Sequence, residues 1–192
     1  GRKMIVDGYR GMLYVDPSST LLKHYKAICA EERELVKGLE ALRDLPCETL
    51  DQHRLPLWVN TGLMADVVRS LERGAEGVGL YRTEIPFLLR DRFPSEEEQR
   101  MIYREQLEAS APHTVTMRTL DIGGDKALSY FPIQEENPFL GWRGIRVTLD
   151  HPEIFLAQIR AMLKASEGLN NMRILLPMVS SVTELEAAKA LI

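Results

Sequence analysis

Gly77-Val78-Gly79-Leu80-Tyr81-Arg82-Thr83-Glu84 and Thr114-Val115-Thr116-Met117-Arg118-Thr119-Leu120-Asp121 decide the fold between them. Each begins as a short apolar run rich in β-branched or aromatic residues and reaches an Arg-Thr pair. The composition predicts strands over 77–82 and 114–119. Between them, Ser95 to Ala109 reads as a helix, with Ser95 as N-cap and Glu98 at capping-box distance. The same rhythm runs outward in both directions. Upstream, Leu57-Trp58-Val59-Asn60 reads as a strand. Leu63 to Arg73 then reads as a helix with Leu63, Val67, Val68 and Leu71 on one side. Downstream, His151 to Ser166 is helical with Pro152 at its first position. Residues 173–179 make a fourth strand, and Ser181 to Ile192 a fourth helix, capped by Ser180 or Ser181 with Glu184 in support.

Four strands, each followed by a helix, predict an α/β fold with a parallel sheet. The residues alone leave two closures open, a doubly wound sheet and a (β/α)8 barrel. In both, chemistry gathers at the carboxyl ends of the strands. Ahead of this region, Met4-Ile5-Val6 and Met12-Leu13-Tyr14-Val15 predict a small β-hairpin. Leu21 to Leu45 carries apolar residues at spacings of three, four and seven and predicts an amphipathic helix, capped by Ser18, Ser19 or Thr20 and ended by Pro46. The expected division is therefore residues 1–20, the tail of a larger domain; 21–46, a linker helix; and 47–192, the βα region. The chain opens on Gly1-Arg2-Lys3 without a methionine, so it is expected to be cut from a longer protein.

The composition of the 192 residues bounds the function. A formal net charge of −4, 45% hydrophobic and 27% charged residues fit a soluble globular protein and exclude a disordered one. The mild acidity argues against nucleic-acid binding. No apolar run approaches the ~18 residues of a membrane helix, and nothing reads as a secretory signal, so a cytoplasmic protein is expected. Cys29 and Cys47 have no metal-ligand spacing and read as free thiols of a reducing compartment. His24, His53, His113 and His151 fall at helix edges or in loops and have no partner that would make a general base.

The strand ends carry the functional reading. Arg82 and Arg118 leave two strands towards one mouth, each with a threonine beside it. Two guanidiniums that stay charged at any working pH suit an anion with several oxygens. Gly123-Gly124 would let backbone N–H groups approach that anion, and Lys126 would add a point charge. The competing reading pairs Arg82 and Arg118 with Glu84 and Asp121 in structural salt bridges. Arg143 and Arg146, three apart on the connection after the third strand, share a face if that piece is helical. They then either reach the mouth or brace the loop, which Phe139 and Trp142 would anchor.

Three long motifs resemble the PEP-binding domain of the enzyme I family, the phosphoenolpyruvate–protein phosphotransferases of the bacterial phosphotransferase system. They are Gly77-Val-Gly-Leu-Tyr-Arg-Thr-Glu-Ile-Pro-Phe, Thr116-Met-Arg-Thr-Leu-Asp-Ile-Gly-Gly-Asp-Lys and Asn137-Pro-Phe-Leu-Gly-Trp-Arg-Gly-Ile-Arg. Ile174-Leu-Leu-Pro-Met-Val-Ser-Ser fits the family's next block. Ile5-Val-Asp-Gly-Tyr-Arg-Gly and the helix after it resemble the end of the phosphohistidine domain and its linker. Asp7-Gly-Tyr-Arg-Gly and Leu45-Pro-Cys-Glu-Thr are closer to the nitrogen-related branch than to the sugar-transport branch.

The resemblance implies about four of the eight units of a TIM barrel, and a PEP-dependent phosphorylation of an enzyme histidine that is passed on to a histidine-containing carrier protein. It implies Arg82 and Arg118 as substrate-binding residues, with Arg143 and Arg146 as further candidates. It also implies Mg²⁺ held by residues outside this chain, a homodimeric intact enzyme, and no catalytic or metal-ligating residue among these 192. The chain alone is then expected to be inactive. Pyruvate phosphate dikinase and PEP synthase share the Arg-Thr-Glu pattern and are the nearest alternative. A non-catalytic interaction module is the other.

Overall fold

The computed structural model describes residues 1–192 apart from 125, 127, 135 and 138. The chain divides into two units, Gly1–Pro46 and Cys47–Ile192. In the first, strands β1 (Met4–Asp7) and β2 (Met12–Val15) pair antiparallel with Met4 opposite Val15. The Arg10 N–H donates to Asp7 Oδ1 across the turn, and Gly11 supplies the left-handed residue that the turn requires. Helix α1 (Ser19–Glu40) starts where the Ser18 side chain accepts the Leu21 N–H. Tyr25 ties the helix to the hairpin by donating its hydroxyl to Asp7 Oδ2 at 2.6 Å.

Helix α1 stops five residues short of the expected Leu45. Beyond Glu40 the backbone tightens into three-residue turns, with the Leu42 N–H on Leu39 O and the Arg43 N–H on Glu40 O. The apolar spacing continues there, but no residue of α1 is buried, and Leu35, Leu39, Leu42 and Leu45 are all exposed.

The second unit keeps the alternation. Strands β3 (Val59–Thr61), β4 (Gly77–Arg82), β5 (Thr114–Arg118) and β6 (Met172–Leu175) form one sheet in that order, every neighbour parallel. Helices α2 (Met64–Glu72), α3 (Ile85–Leu88), α4 (Glu96–Ser110), α5 (Ile145–Asp150), α6 (Pro152–Ala165) and α7 (Val182–Leu191) lie between and after the strands. Both expected capping boxes form, Ser95 with Glu98 and Ser181 with Glu184.

One core joins Val78, Tyr81, Val115 and Met117 of the sheet to Val67 of α2, Tyr103 and Leu107 of α4, Phe155, Ile159 and Met162 of α6, and Ala188 of α7. All four of these helices therefore cover the same face of the sheet. Sequential strand order with helices on a single face is the winding of a barrel and excludes a doubly wound sheet, whose helices lie on both faces. The unit is about half of a (β/α)8 barrel. Phe87, Leu120, Ile122, Leu128 and Val147 form a second core under the loops at the carboxyl ends of the strands.

Two details place the functional residues. Val59 faces Val78 and Asn60 faces Leu80, so Gly79 is an extra residue in β4; the ladder to β5 shifts in the same stretch, between Val78 and Tyr81. This is a β-bulge. A Cβ on Gly79 would lie 3.2 Å from Trp58 Cβ, and glycine leaves that space to the indole. Strand β6 is shorter than the expected 173–179. Met178 takes a positive φ of 63°, and Pro177 turns its carbonyl to the Ile145 N–H, which carries the chain out of the sheet.

Candidate functional site

Arg82 and Arg118 are direct register partners, the last residues of adjacent parallel strands. Tyr81 and Met117, one residue earlier, are likewise opposite each other and buried against the helices. Alternation along a strand then sends both arginines to the other face, where the barrel interior lies.

Their surroundings differ. Arg82 is exposed, and its Nε donates to Asn60 Oδ1 of β3 at 2.9 Å. The Arg118 side chain is 15% exposed and grips two carboxylates, Glu84 at 2.5 Å and Asp121 at 2.9 Å, which are themselves 2–3% exposed. Lys126 reaches the same two, Glu84 at 2.6 Å and Asp121 at 3.6 Å. Arg143 presents its fork to Asp121 at 3.0 and 3.1 Å. Among the described residues, Arg118, Lys126 and Arg143 thus converge on Glu84 and Asp121, and Arg82 stands one strand over from Arg118. Glu84 Oε2 and Arg118 Nε are buried with no hydrogen-bond partner among the described residues. Burial pushes the Asp121 carboxyl up, but the Arg143 hydrogen bonds and the charges of Arg118, Arg143 and Lys126 outweigh it and hold the group below its ordinary value. Asp121 is therefore ionised at neutral pH.

The loops fit around this cluster. Gly123 has a φ of 117°, and a Cβ there would meet Arg143 Cβ and the Trp142 carbonyl at 3.1 Å, so glycine lets the loop after β5 lie against the Arg143 backbone. Gly123 N–H donates to Lys126 O and Lys126 N–H to Gly123 O. That turn holds Lys126 in place and engages the Gly123 amide that the sequence offered to an anion. Asp125 and Pro138, quoted in the family motifs, lie outside the described residues.

Arg143 and Arg146 do not share a helical face. Gly144, with a φ of 60°, is the N-cap of α5 and separates them. Arg143 joins the cluster. Arg146 donates to the carbonyls of Leu140 and Gly141 at 2.5 and 2.7 Å and pairs with Glu184 at 3.4 Å, bracing the loop against the start of α7. Trp142 anchors the loop through its indole N–H to Asp150 Oδ2 and its packing on Phe131 and His151. Phe139, expected to do the same, is 58% exposed.

Of the salt bridges that the sequence offered as a competing reading, those of Arg118 with Glu84 and Asp121 form, while Arg82 bonds to Asn60 instead. The sequence missed Asn60 as the partner of Arg82. The signal was its place at the end of the strand next to β4. No group of three or more His, Cys, Asp or Glu among the described residues could hold a metal ion. No helix among them is long and apolar enough to cross a membrane.

Comparison with known proteins gives the arrangement a family. The profile described as "PEP-utilising enzyme, PEP-binding domain" matches residues 36–192. The whole chain is 51% identical over 191 residues to the "Phosphoenolpyruvate-dependent phosphotransferase system" protein of Escherichia coli (strain K12), of which it covers 26%. It is 42% identical to the "Phosphoenolpyruvate-protein phosphotransferase" of Haemophilus influenzae and 44% identical to that of Staphylococcus carnosus, covering 33% and 34% of them. The chain therefore spans a quarter to a third of the length of these curated relatives. With half a barrel whose strand ends converge on an arginine cluster, and a profile that matches most of its residues, the chain belongs to the PEP-utilising enzymes through their PEP-binding domain.

Proposed function

We propose that this chain supplies the phosphate grip of a phosphoenolpyruvate–protein phosphotransferase. Arg82 and Arg118 bind the phosphoryl oxygens of PEP, and Arg143 and Lys126 add positive charge behind them. The observation that carries this reading is the level placement of Arg82 and Arg118 on adjacent strand ends, beside a cluster that gathers Arg118, Lys126 and Arg143. Arg146 serves as a brace, because its bonds run to loop carbonyls and Glu184.

The proposed chemistry suits such a site. The bond from phosphorus to the enol oxygen breaks as a bond from phosphorus to a histidine nitrogen forms. Charge spreads over the equatorial oxygens, so positioning and neutralisation carry most of the catalysis. A guanidinium fork meets two of those oxygens at once. Mg²⁺, which would neutralise phosphate charge in the intact enzyme, does not fit the carboxylates here: Glu84 and Asp121 are already engaged by Arg118, Lys126 and Arg143. Its ligands, like the phosphorylated histidine, are assigned to parts of the protein outside these residues. The division into Gly1–Pro46 and Cys47–Ile192 supports a boundary after Pro46; ahead of it, residues 1–20 are read as the end of a phosphohistidine domain and 21–46 as its linker. We place the enzyme in the cytoplasm, as a homodimer that hands its phosphoryl group to a histidine-containing carrier protein. The relatives, named as phosphotransferases, favour this reading over a dikinase.

Calorimetric titration with PEP, and with sulfate for comparison, tests the grip. PEP should bind more tightly than sulfate, and both Arg82→Ala and Arg118→Ala should weaken PEP. Equal affinity for PEP and sulfate would reduce the site to a general anion site. Incubation of the 192-residue chain with labelled PEP should leave it unlabelled.

A further inference from the structure

Gln158 lies on α6 and is completely buried, in a layer otherwise built from Phe155, Ile159 and Met162. Burying an amide is unfavourable unless its hydrogen bonds are met. Here they are, and all but one lead to the arginine-bearing strand ends. Gln158 Oε1 accepts the Leu120 N–H at 2.7 Å, two residues beyond Arg118. Its Nε2 donates to Thr83 Oγ1 at 3.1 Å, one residue beyond Arg82. The Thr83 hydroxyl donates onward to the Arg118 carbonyl at 2.6 Å. The remaining bond, from Nε2 to the Tyr103 hydroxyl at 3.0 Å, leads away to Gln99 on α4.

The donor directions leave one arrangement. The Leu120 N–H requires the oxygen of the amide, so the nitrogen faces Thr83. Thr83 then receives from Gln158 and must give its own proton to Arg118 O. The peptides on either side of Thr119 are thus clamped, one through the relay and one directly. On the far side the Thr119 N–H is fixed to Leu175 O. A hydrocarbon at 158 and a valine at 83 would fill the same space but would leave the buried Leu120 N–H and the Arg118 carbonyl without these partners. The polar pair instead specifies one height and one direction for the backbone that carries Arg118.

We propose that Gln158, acting through Thr83, is a positioning residue that aims Arg118 at the phosphoryl group. The proposal rests on the phosphate-grip reading, and its test separates the two. In the 192-residue chain, Thr83→Val keeps the shape and breaks the relay, and Thr83→Ser keeps both relay bonds. Tyr103→Phe removes a bond from the same amide on the side away from the arginines. Gln158→Leu removes all three bonds and puts folding at risk, so the Thr83 pair decides. The readouts are PEP affinity by calorimetry, the melting temperature, and the Arg118 Nε–Hε resonance in protein labelled with 15N-arginine.

Thr83→Val should weaken PEP about tenfold, in line with losing a buried hydrogen bond that aims a charged group, and should move the Arg118 resonance. Thr83→Ser should restore both. Tyr103→Phe should lower the melting temperature while leaving affinity and resonance as in the parent. Equal losses of stability in Thr83→Val and Tyr103→Phe, with the Arg118 resonance in place in both, would reduce the network to packing and overturn the proposal. So would a failure of serine to rescue. If the parent binds no PEP, the grip reading fails. The resonance then decides alone: displacement by valine and return with serine support the positioning role, and an unmoved resonance overturns it.

Discussion

At the end of β4, Arg82 is exposed to solvent and steadied by the hydrogen bond that its Nε donates to Asn60 Oδ1. One strand over, in register, Arg118 is mostly buried and locked between Glu84 and Asp121. The same Arg-Thr pair thus serves two purposes at neighbouring positions. An exposed guanidinium keeps its donors for a ligand and contributes little to the fold. A buried one is tied to the carboxylates it neutralises, and removing it leaves them with less compensation in a dry site. In the proposed grip the pair combines a fixed arginine with an adaptable one, a workable way to receive a dianionic group with three phosphoryl oxygens.

The sharpest way to break this contrast is Arg118→Ala. It should destabilise the protein by about 3–5 kcal/mol, the range for stripping one partner from a buried ion pair, as read from urea denaturation. A loss no larger than that of Arg82→Ala would show that burial makes no difference between the two. Glu84→Gln should have the next largest effect, about 1–3 kcal/mol, since it weakens the hold on Arg118 and Lys126 together. Arg82→Ala should leave stability within about 0.5 kcal/mol of the parent. It should still weaken PEP binding roughly tenfold, equivalent to about 1.4 kcal/mol, and calorimetry on the same samples reads this directly.

The smallest effect at neutral pH concerns Asp121. Its folded-state carboxyl sits below the ordinary value of 3.8. Its contribution to stability is therefore complete above that value and is lost as pH falls through the lowered one. Denaturation between about pH 5 and pH 2 should show that loss. Arg82→Ala should keep it, and Arg118→Ala should shrink it, because the Arg118 charge is one of its causes.

What the sequence disclosed follows the range of the forces involved. The α4 cap was legible because Ser95 and Glu98 satisfy each other three residues apart. Strands β4 and β5 were legible because their apolar runs stop at a charge. Strand β6 was drawn too long, since Leu175-Leu176-Pro177 reads as strand, yet Pro177 is taken by Ile145, 32 residues earlier in the chain. Helix α1 was drawn too long because its apolar spacing continues through Leu42 and Leu45, past the point where the backbone tightens into three-residue turns. In the site, both arginines were legible from their positions at strand ends. Asn60 and Gln158 were not, because a lone polar residue in a strand or helix shows its purpose only when other elements close around it.

The extra residue at Gly79 has a consequence for how this protein can change. In an unbroken strand, residues four apart point the same way, so Val78 in the hydrocarbon layer would place Arg82 there too. The bulge reverses the parity between them, and a charged group emerges on the opposite side. Loss of a single codon in this stretch would thus exchange the inside and outside of the strand tip, sending a guanidinium into the core and a tyrosine into the mouth. Substitutions along the strand can be absorbed one at a time, but its residue count cannot drift, and that fixed count ties the chemistry of the site to the reading frame of the fold.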